Sequence, residues 1–155
     1  GLHTRELWRC YGDGVYDRHP LKETRITDKS GAEGIVRDAI KAEDLTRYDQ
    51  DHYGGAPATD ALVTALAIEP GMHVLDICSG MGGTSRYLAY RYAVTVLGVD
   101  ITESRVDGAR RLAEMVGLDD NVIYAVGDAS RLDVGQARFD RAISQEAFLH
   151  IPDKE

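Results

Sequence analysis

One glycine-rich run and a few acidic or amide positions carry most of the chemical potential of this 155-residue chain. Ser79-Gly80-Met81-Gly82-Gly83 follows an apolar run that ends at Cys78. Gly80 and Gly82 reach backbone angles closed to other residues and let a ligand approach the main chain. Asp76 lies inside the apolar run, where a carboxylate is costly unless hydrogen-bonded. It either organises the glycine turn or reaches a ligand ammonium. Asp100 comes 20 residues after Gly80, at the end of a second apolar run. A carboxylate there accepts two ribose hydroxyls through charge-assisted bonds. Capping the next helix is its alternative role, although Thr102 is placed for that. Asp128, in Gly127-Asp128-Ala129, accepts from an adenine amino group or serves as a turn residue. Ser144-Gln145 ends a fourth run.

Some features are absent. A dinucleotide fingerprint needs Gly-x-Gly-x-x-Gly, and its third position is Ser85 here. There is no Gly-Lys-Thr/Ser phosphate loop. The set suits an adenosine ligand without a pyrophosphate. The plain alternative is a tight strand-to-helix turn that holds nothing.

The surrounding elements must bring these groups together. The pattern predicts a helix from Ala58-Thr59-Asp60, with Thr59 or Asp60 as N-cap, ended by Glu69-Pro70-Gly71. Strands are expected over 73–78, 94–99, 122–126 and 139–144, and helices over 84–92 and 102–116. The strands are apolar throughout rather than alternating, which predicts burial on both faces. Alternation with helices implies right-handed crossovers and a parallel sheet. Ligands then bind beyond the carboxyl ends of the strands. The fold class is therefore α/β, a Rossmann-like three-layer sandwich with a mostly parallel sheet of about four strands. Residues 1–57 are charged and Tyr-rich. They read as a partly helical N-terminal cap, with helical stretches over 32–40 and 42–48, ahead of a sheet domain over 58–155.

Lys plus Arg number 18 against 26 Asp plus Glu, giving a net charge of −8. Nucleic-acid binders need a basic surface to displace counterions, so the acidity argues against that partner. No apolar run approaches the roughly 20 residues that span a bilayer, and a cytoplasmic protein is expected. The two cysteines, Cys10 and Cys78, have no metal-ligand spacing. Both read as free thiols, Cys78 as a small buried hydrophobe.

Val74-Leu75-Asp76-Ile77-Cys78-Ser79-Gly80-Met81-Gly82-Gly83 resembles motif I of class I S-adenosylmethionine-dependent methyltransferases. Gly98-Val99-Asp100-Ile101 is similar to their acidic strand-two end, Gly127-Asp128-Ala129 to their adenine-contacting turn, and the segment from Phe139-Asp140 to His150 to their strand-four motif. The match covers about residues 49–155. Ser144-Gln145-Glu146-Ala147-Phe148-Leu149-His150 and Asp49-Gln50-Asp51-His52-Tyr53-Gly54-Gly55 resemble the sarcosine/dimethylglycine and phosphoethanolamine type of small-molecule methyltransferases; sterol and quinone methyltransferases share much of this pattern. Cys78 stands where Gly is more usual in the family, with little consequence expected.

The resemblance implies S-adenosylmethionine as cofactor. Its contacts would be Asp76, Ser79, Gly80, Met81, Gly82, Asp100, Ile101, Asp128, Ala129, Ser144 and Gln145. Arg105, one turn beyond Asp100, faces the same crevice or is a solvated helix charge. A methyl acceptor must present a lone pair, so an amine must be neutral and a hydroxyl needs a base. Glu146 and His150, just past the fourth strand, are the catalytic candidates. His52, Tyr53, Tyr11 and Tyr16 are further lining candidates, with ordinary packing as their alternative. The expected partner is a small-molecule acceptor, probed first as an amine. The family's sheet has seven strands, so strands five to seven are expected from a missing C-terminal half or a partner chain. An exposed fourth-strand edge makes a homo-oligomer a second expectation.

Overall fold

The structure, a computed structural model, describes residues 23–32, 34, 39–134, 139–147 and 151. Helices α1 (Glu23–Ala32), α2 (Ala42–Thr46) and α3 (Gly55–Ala65) precede the sheet. Then come β1 (His73–Ile77), α4 (Gly83–Tyr92), β2 (Thr95–Asp100), α5 (Glu103–Met115) and β3 (Val122–Val126). A 3-10 turn over Ala129–Arg131 and β4 (Arg141–Ile143) complete the described elements. The four strands pair in parallel in the order β3-β2-β1-β4. The expected parallel α/β architecture is the one found, with the fourth strand beside the first.

Val74, Val96, Val122 and Ile143 from the strands pack with Val63 of α3, Leu88 and Ala89 of α4, and Val106, Ala109 and Ala113 of α5. Burying a side chain such as Leu88 stabilises by about 1.5–3 kcal/mol. In α5, Val106, Ala109 and Ala113 recur at three- and four-residue spacing, which turns one stripe toward the sheet. A second cluster joins Ile26, Ile40, Leu45 and Leu112 to Met81 of the glycine turn. The N-terminal helices are thereby tied to the functional loop through apolar contact.

Several local expectations shift. The helix expected from Ala58 begins at Gly55, with Gly54 as a left-handed N-cap at φ 82°. Helix α3 therefore crosses position 57/58. Thr59 is no cap; it is fully buried inside the helix. Thr102 does occupy the N-cap of α5, but its side chain makes no capping bond. Instead Asp100 Oδ1 accepts the Thr102 N–H at 2.9 Å. Strand β3 is not buried on both faces: Ile123 is 65% exposed and Val126 50%. It lies at an edge of the described sheet, and its apolar sequence is indistinguishable by pattern from a central strand. The strand expected over 139–144 shortens to Arg141–Ile143. The helical stretch expected over 32–40 falls largely outside the described residues, while a helix over Glu23–Ala32 precedes it. No helix among the described residues is long and apolar enough to cross a membrane.

Candidate functional site

The chain leaves β1 through a turn that no run of ordinary residues could make. Cys78, Gly80 and Gly82 all have positive φ, at 62°, 55° and 76°. The Ser79 N–H donates to Val99 O at 2.9 Å, and the Gly82 N–H returns to Ser79 O at 2.8 Å. Asp100, at the end of β2, holds the turn from the other side, with its Oδ2 accepting the Gly80 N–H at 2.9 Å. Each oxygen of this carboxylate thus takes one backbone donor and keeps one lone pair for a ligand.

Below the turn lies a cavity of about 320 Å³, within the ordinary range for a small-molecule site. Of the expected contacts, Asp76, Ser79, Gly80, Met81, Asp100, Ile101, Arg105 and Gln145 line it. Four do not. Gly82 faces the sheet instead, where a Cβ would lie 2.2 Å from Tyr124 Oη; it is a packing glycine, and the Tyr124 hydroxyl donates to its carbonyl at 3.0 Å. Asp128 is exposed and accepts from Ser130 N and Oγ at 2.9 and 2.7 Å. Ala129 follows it in the 3-10 turn. Ser144 is half-buried outside the lining. Arg105, on the helix after β2, is part of that lining.

Asp76 is buried, and Ser85 Oγ donates to its Oδ2 at 2.6 Å. Burial pushes this carboxyl up to about 7, opposed by the Ser85 bond and assisted by the Asp100 charge. Ser85, which breaks the dinucleotide fingerprint, is thus the partner of the buried acid. Cys78 is not a buried hydrophobe. It lines the cavity in the left-handed region, which explains why Gly suits this position. Its thiol is pushed up to about 11 by burial first and then by the negative charges of Asp100, Asp76 and Asp128.

The opposite wall comes from two distant segments. Asp49, Asp51 and His52 arrive before α3, and Gln145, Glu146 and Ala147 follow β4. Gln145 Oε1 accepts from Thr59 Oγ1 at 3.1 Å and from Thr84 Oγ1 at 2.9 Å. His52 Nε2 lies 3.1 Å from Gln50 Oε1, and its Nδ1 lies 3.4 Å from Gln145 Nε2. Glu146 Oε1 accepts the Tyr53 N–H at 2.7 Å. Glu146 also has a left-handed backbone, φ 56°. Tyr53 itself is 89% exposed and outside the lining. His150, Tyr11 and Tyr16 lie outside the described residues.

Arg86 went unrecognised in the sequence. It is 2% exposed and ion-paired with Asp49 at 2.8 Å. Residues 83–89 of α4 are all buried, so no amphipathic phase marks Arg86 as inward-facing. Thr59 and Thr84 were missed for a similar reason: their partner Gln145 is 86 and 61 residues away in sequence.

A parallel sheet with a glycine turn after β1 and an acid at the end of β2 defines an α/β protein with a nucleoside-type crevice. Residues 74–155 match the family model described as "Methyltransferase domain", and the chain belongs to that family. Methyltransferase GfsG from Streptomyces halstedii is 28% identical over 152 residues, covering 81% of this chain and 55% of that protein. Phosphoethanolamine N-methyltransferase 1 from Zea mays is 33% identical over 140 residues, covering 86% of this chain and 28% of that protein. A SAM-dependent methyltransferase from Thiobacillus denitrificans, solved with S-adenosyl-L-homocysteine, superposes with TM-score 0.56 at 28% identity, over 67% of this chain and 42% of that one. A putative sarcosine dimethylglycine methyltransferase from Galdieria sulphuraria shares the fold, with TM-score 0.60 at 19% identity over 84% of this chain and 51% of that one. The chain thus spans about half the length of GfsG and under a third of the maize enzyme.

Proposed function

We propose that this chain binds S-adenosylmethionine in the cavity under the glycine turn and serves a small-molecule methyltransferase, with an amine as the acceptor. The observation that carries this is Asp100, which bridges Gly80 and Thr102 at the cavity wall with one lone pair free on each oxygen. That arrangement suits a pair of ribose hydroxyls. The remaining donor set fits the same ligand: Asp76 offers an acidic group toward an ammonium, and the N-terminus of α4 offers backbone donors to a carboxylate. When bound, the ligand supplies a methyl group already activated on a sulfonium. The protein's task is then mainly to orient two reactants and exclude water.

On the acceptor side, Glu146 is the residue we assign to the amine, with His150 as its proposed partner. Glu146 lines the cavity and is anchored through the Tyr53 N–H. Its carboxylate is placed to orient an amine N–H or take its proton. Glu146→Gln keeps an acceptor for Tyr53 but loses the charge. We expect methyl transfer to fall by about tenfold or more, with S-adenosylhomocysteine affinity unchanged.

Calorimetric titration with S-adenosylmethionine, S-adenosylhomocysteine and NAD tests the donor assignment. Binding of the first two without NAD is expected; tight NAD binding overturns it. Methyl transfer to a panel of amines, sterols and quinols then tests the acceptor class. Turnover of a sterol or quinol in place of any amine would assign a C- or O-methyltransferase instead.

A further inference from the structure

Arg86 is buried, does not line the cavity, and donates to four different residues. Its Nη1 donates to the Met81 carbonyl at 2.8 Å, to the Ala109 carbonyl at 3.3 Å and to Tyr124 Oη at 3.4 Å. Its Nη2 donates to Asp49 Oδ2 at 2.8 Å. A helix packed on a sheet does not need a guanidinium here. Replacing a buried ion pair with apolar groups is often neutral or stabilising. The pair therefore calls for a reason other than stability.

Its acceptors supply one. The Met81 carbonyl belongs to the glycine turn. Tyr124, which receives a bond from Arg86, donates in turn to the next carbonyl, Gly82 O. Two successive peptide planes of the turn are thus held from beneath. Because a trans peptide sets its N–H opposite its carbonyl, holding Gly82 O toward Tyr124 turns the Gly83 N–H the other way. Gly83 lines the cavity at the first position of α4, where a helix N–H has no intrahelical partner.

Asp49, the ion-pair partner, completes the link. Its main chain lies flush on Gly83, where a Cβ would come within 2.0 Å of Asp49 O. The segment it begins carries Asp51 and His52 on the cavity wall. A side chain at 83 would push that segment off the turn, and the Asp49 carboxylate ties it to Arg86.

We propose that Arg86 is a positioning residue: with Asp49 it locks the glycine turn and the 49–53 segment into one geometry, so that ligand binding depends on the pair although the guanidinium does not line the cavity. This rests on the donor assignment above.

A double-substitution cycle on ligand affinity tests it. Arg86→Lys keeps the charge but not the planar fork that spans several acceptors. Asp49→Asn keeps the partner's shape without its charge. Affinity for S-adenosylhomocysteine would be measured by calorimetry on variants whose circular dichroism matches the parent. Each single variant is expected to bind about tenfold more weakly, and the double variant no more weakly than the worse single. A purely structural role would lower the melting temperature without this non-additive loss of affinity in folded protein. Parent-like affinity in the folded variants, or losses that add, overturns the proposal. Where Arg86→Lys does not fold, Asp49→Asn alone decides it, by weakened or parent-like affinity. Failure of the parent chain to bind S-adenosylhomocysteine overturns the donor assignment instead, so the two failures are distinguishable.

Discussion

The two walls of the cavity are built by different means. The wall at the ends of β1 and β2 is mostly main chain, shaped by positive φ at 78, 80 and 82 and held by one carboxylate 20 residues away. The facing wall is mostly side chain. It joins His52, Thr84 and Gln145, drawn from segments up to 93 residues apart, with Thr59 buried behind Gln145. Backbone-built geometry is set by the sheet and tolerates little. Side-chain geometry can be changed one residue at a time. Arg86 belongs to neither wall, and Asp49 joins it to both.

The largest expected effect breaks this junction. Arg86→Met leaves the Asp49 carboxylate buried and uncompensated, and should cost about 3–5 kcal/mol by urea unfolding. A loss below about 1 kcal/mol would mean the walls stand independently. Next, Asp100→Ala should weaken S-adenosylhomocysteine binding by about 3 kcal/mol, roughly a hundredfold, because ionic hydrogen bonds to ligand and turn vanish together. Calorimetry at fixed pH reads it directly, and a loss under threefold would remove Asp100 from the main-chain wall's ligand set.

A smaller effect is linked to pH. In the unfolded chain Asp76 titrates near its ordinary value of about 3.9, whereas burial holds it near 7 in the folded protein. Between these values the native state binds more protons than the unfolded chain, so Asp76 makes stability fall as pH rises from about 4 to about 7, with no further change above. Ser85→Ala removes the bond that opposes this rise. It should cost about 2 kcal/mol above pH 7, where the acid is ionised, and about 1 kcal/mol near pH 5. Urea melts across that range check it; an equal loss at both values would place the ionised form outside the native state. The smallest effects concern Cys78. Cys78→Val puts a β-branched residue at φ 62° and should cost about 1–2 kcal/mol, whereas Cys78→Gly should shift stability by about 1 kcal/mol at most. Equal thermal shifts for the two would show that the turn's conformation does not restrict position 78.

The same contrast governs what was legible in the sequence. The main-chain wall announces itself through types with few alternative uses: glycines after an apolar run, an acid at a strand end. The parallel sheet follows from the strand-helix alternation. The side-chain wall does not announce itself. Arg86 sits in a helix buried all round, and a lone arginine there looks like any surface charge. Thr59 looks like a helix cap because its residue type favours that role, yet its hydroxyl is directed at Gln145, in the loop after β4. Asp128 holds its own turn through Ser130, a local bond its sequence position does not announce.

The sheet order also bears on assembly. His73 pairs with Thr95 on β2, 22 residues on, and its N–H meets Asp140 beside β4, 67 residues on. Closing the longer loop costs about 1 kcal/mol more in chain entropy. The main-chain wall is therefore a local product of β1, α4 and β2, while Gln145 joins through a contact of high sequence separation, the kind that slows folding. A chain emerging from synthesis has the residues of its turn and Asp100 in hand well before Gln145 and Glu146 of the surface opposite them.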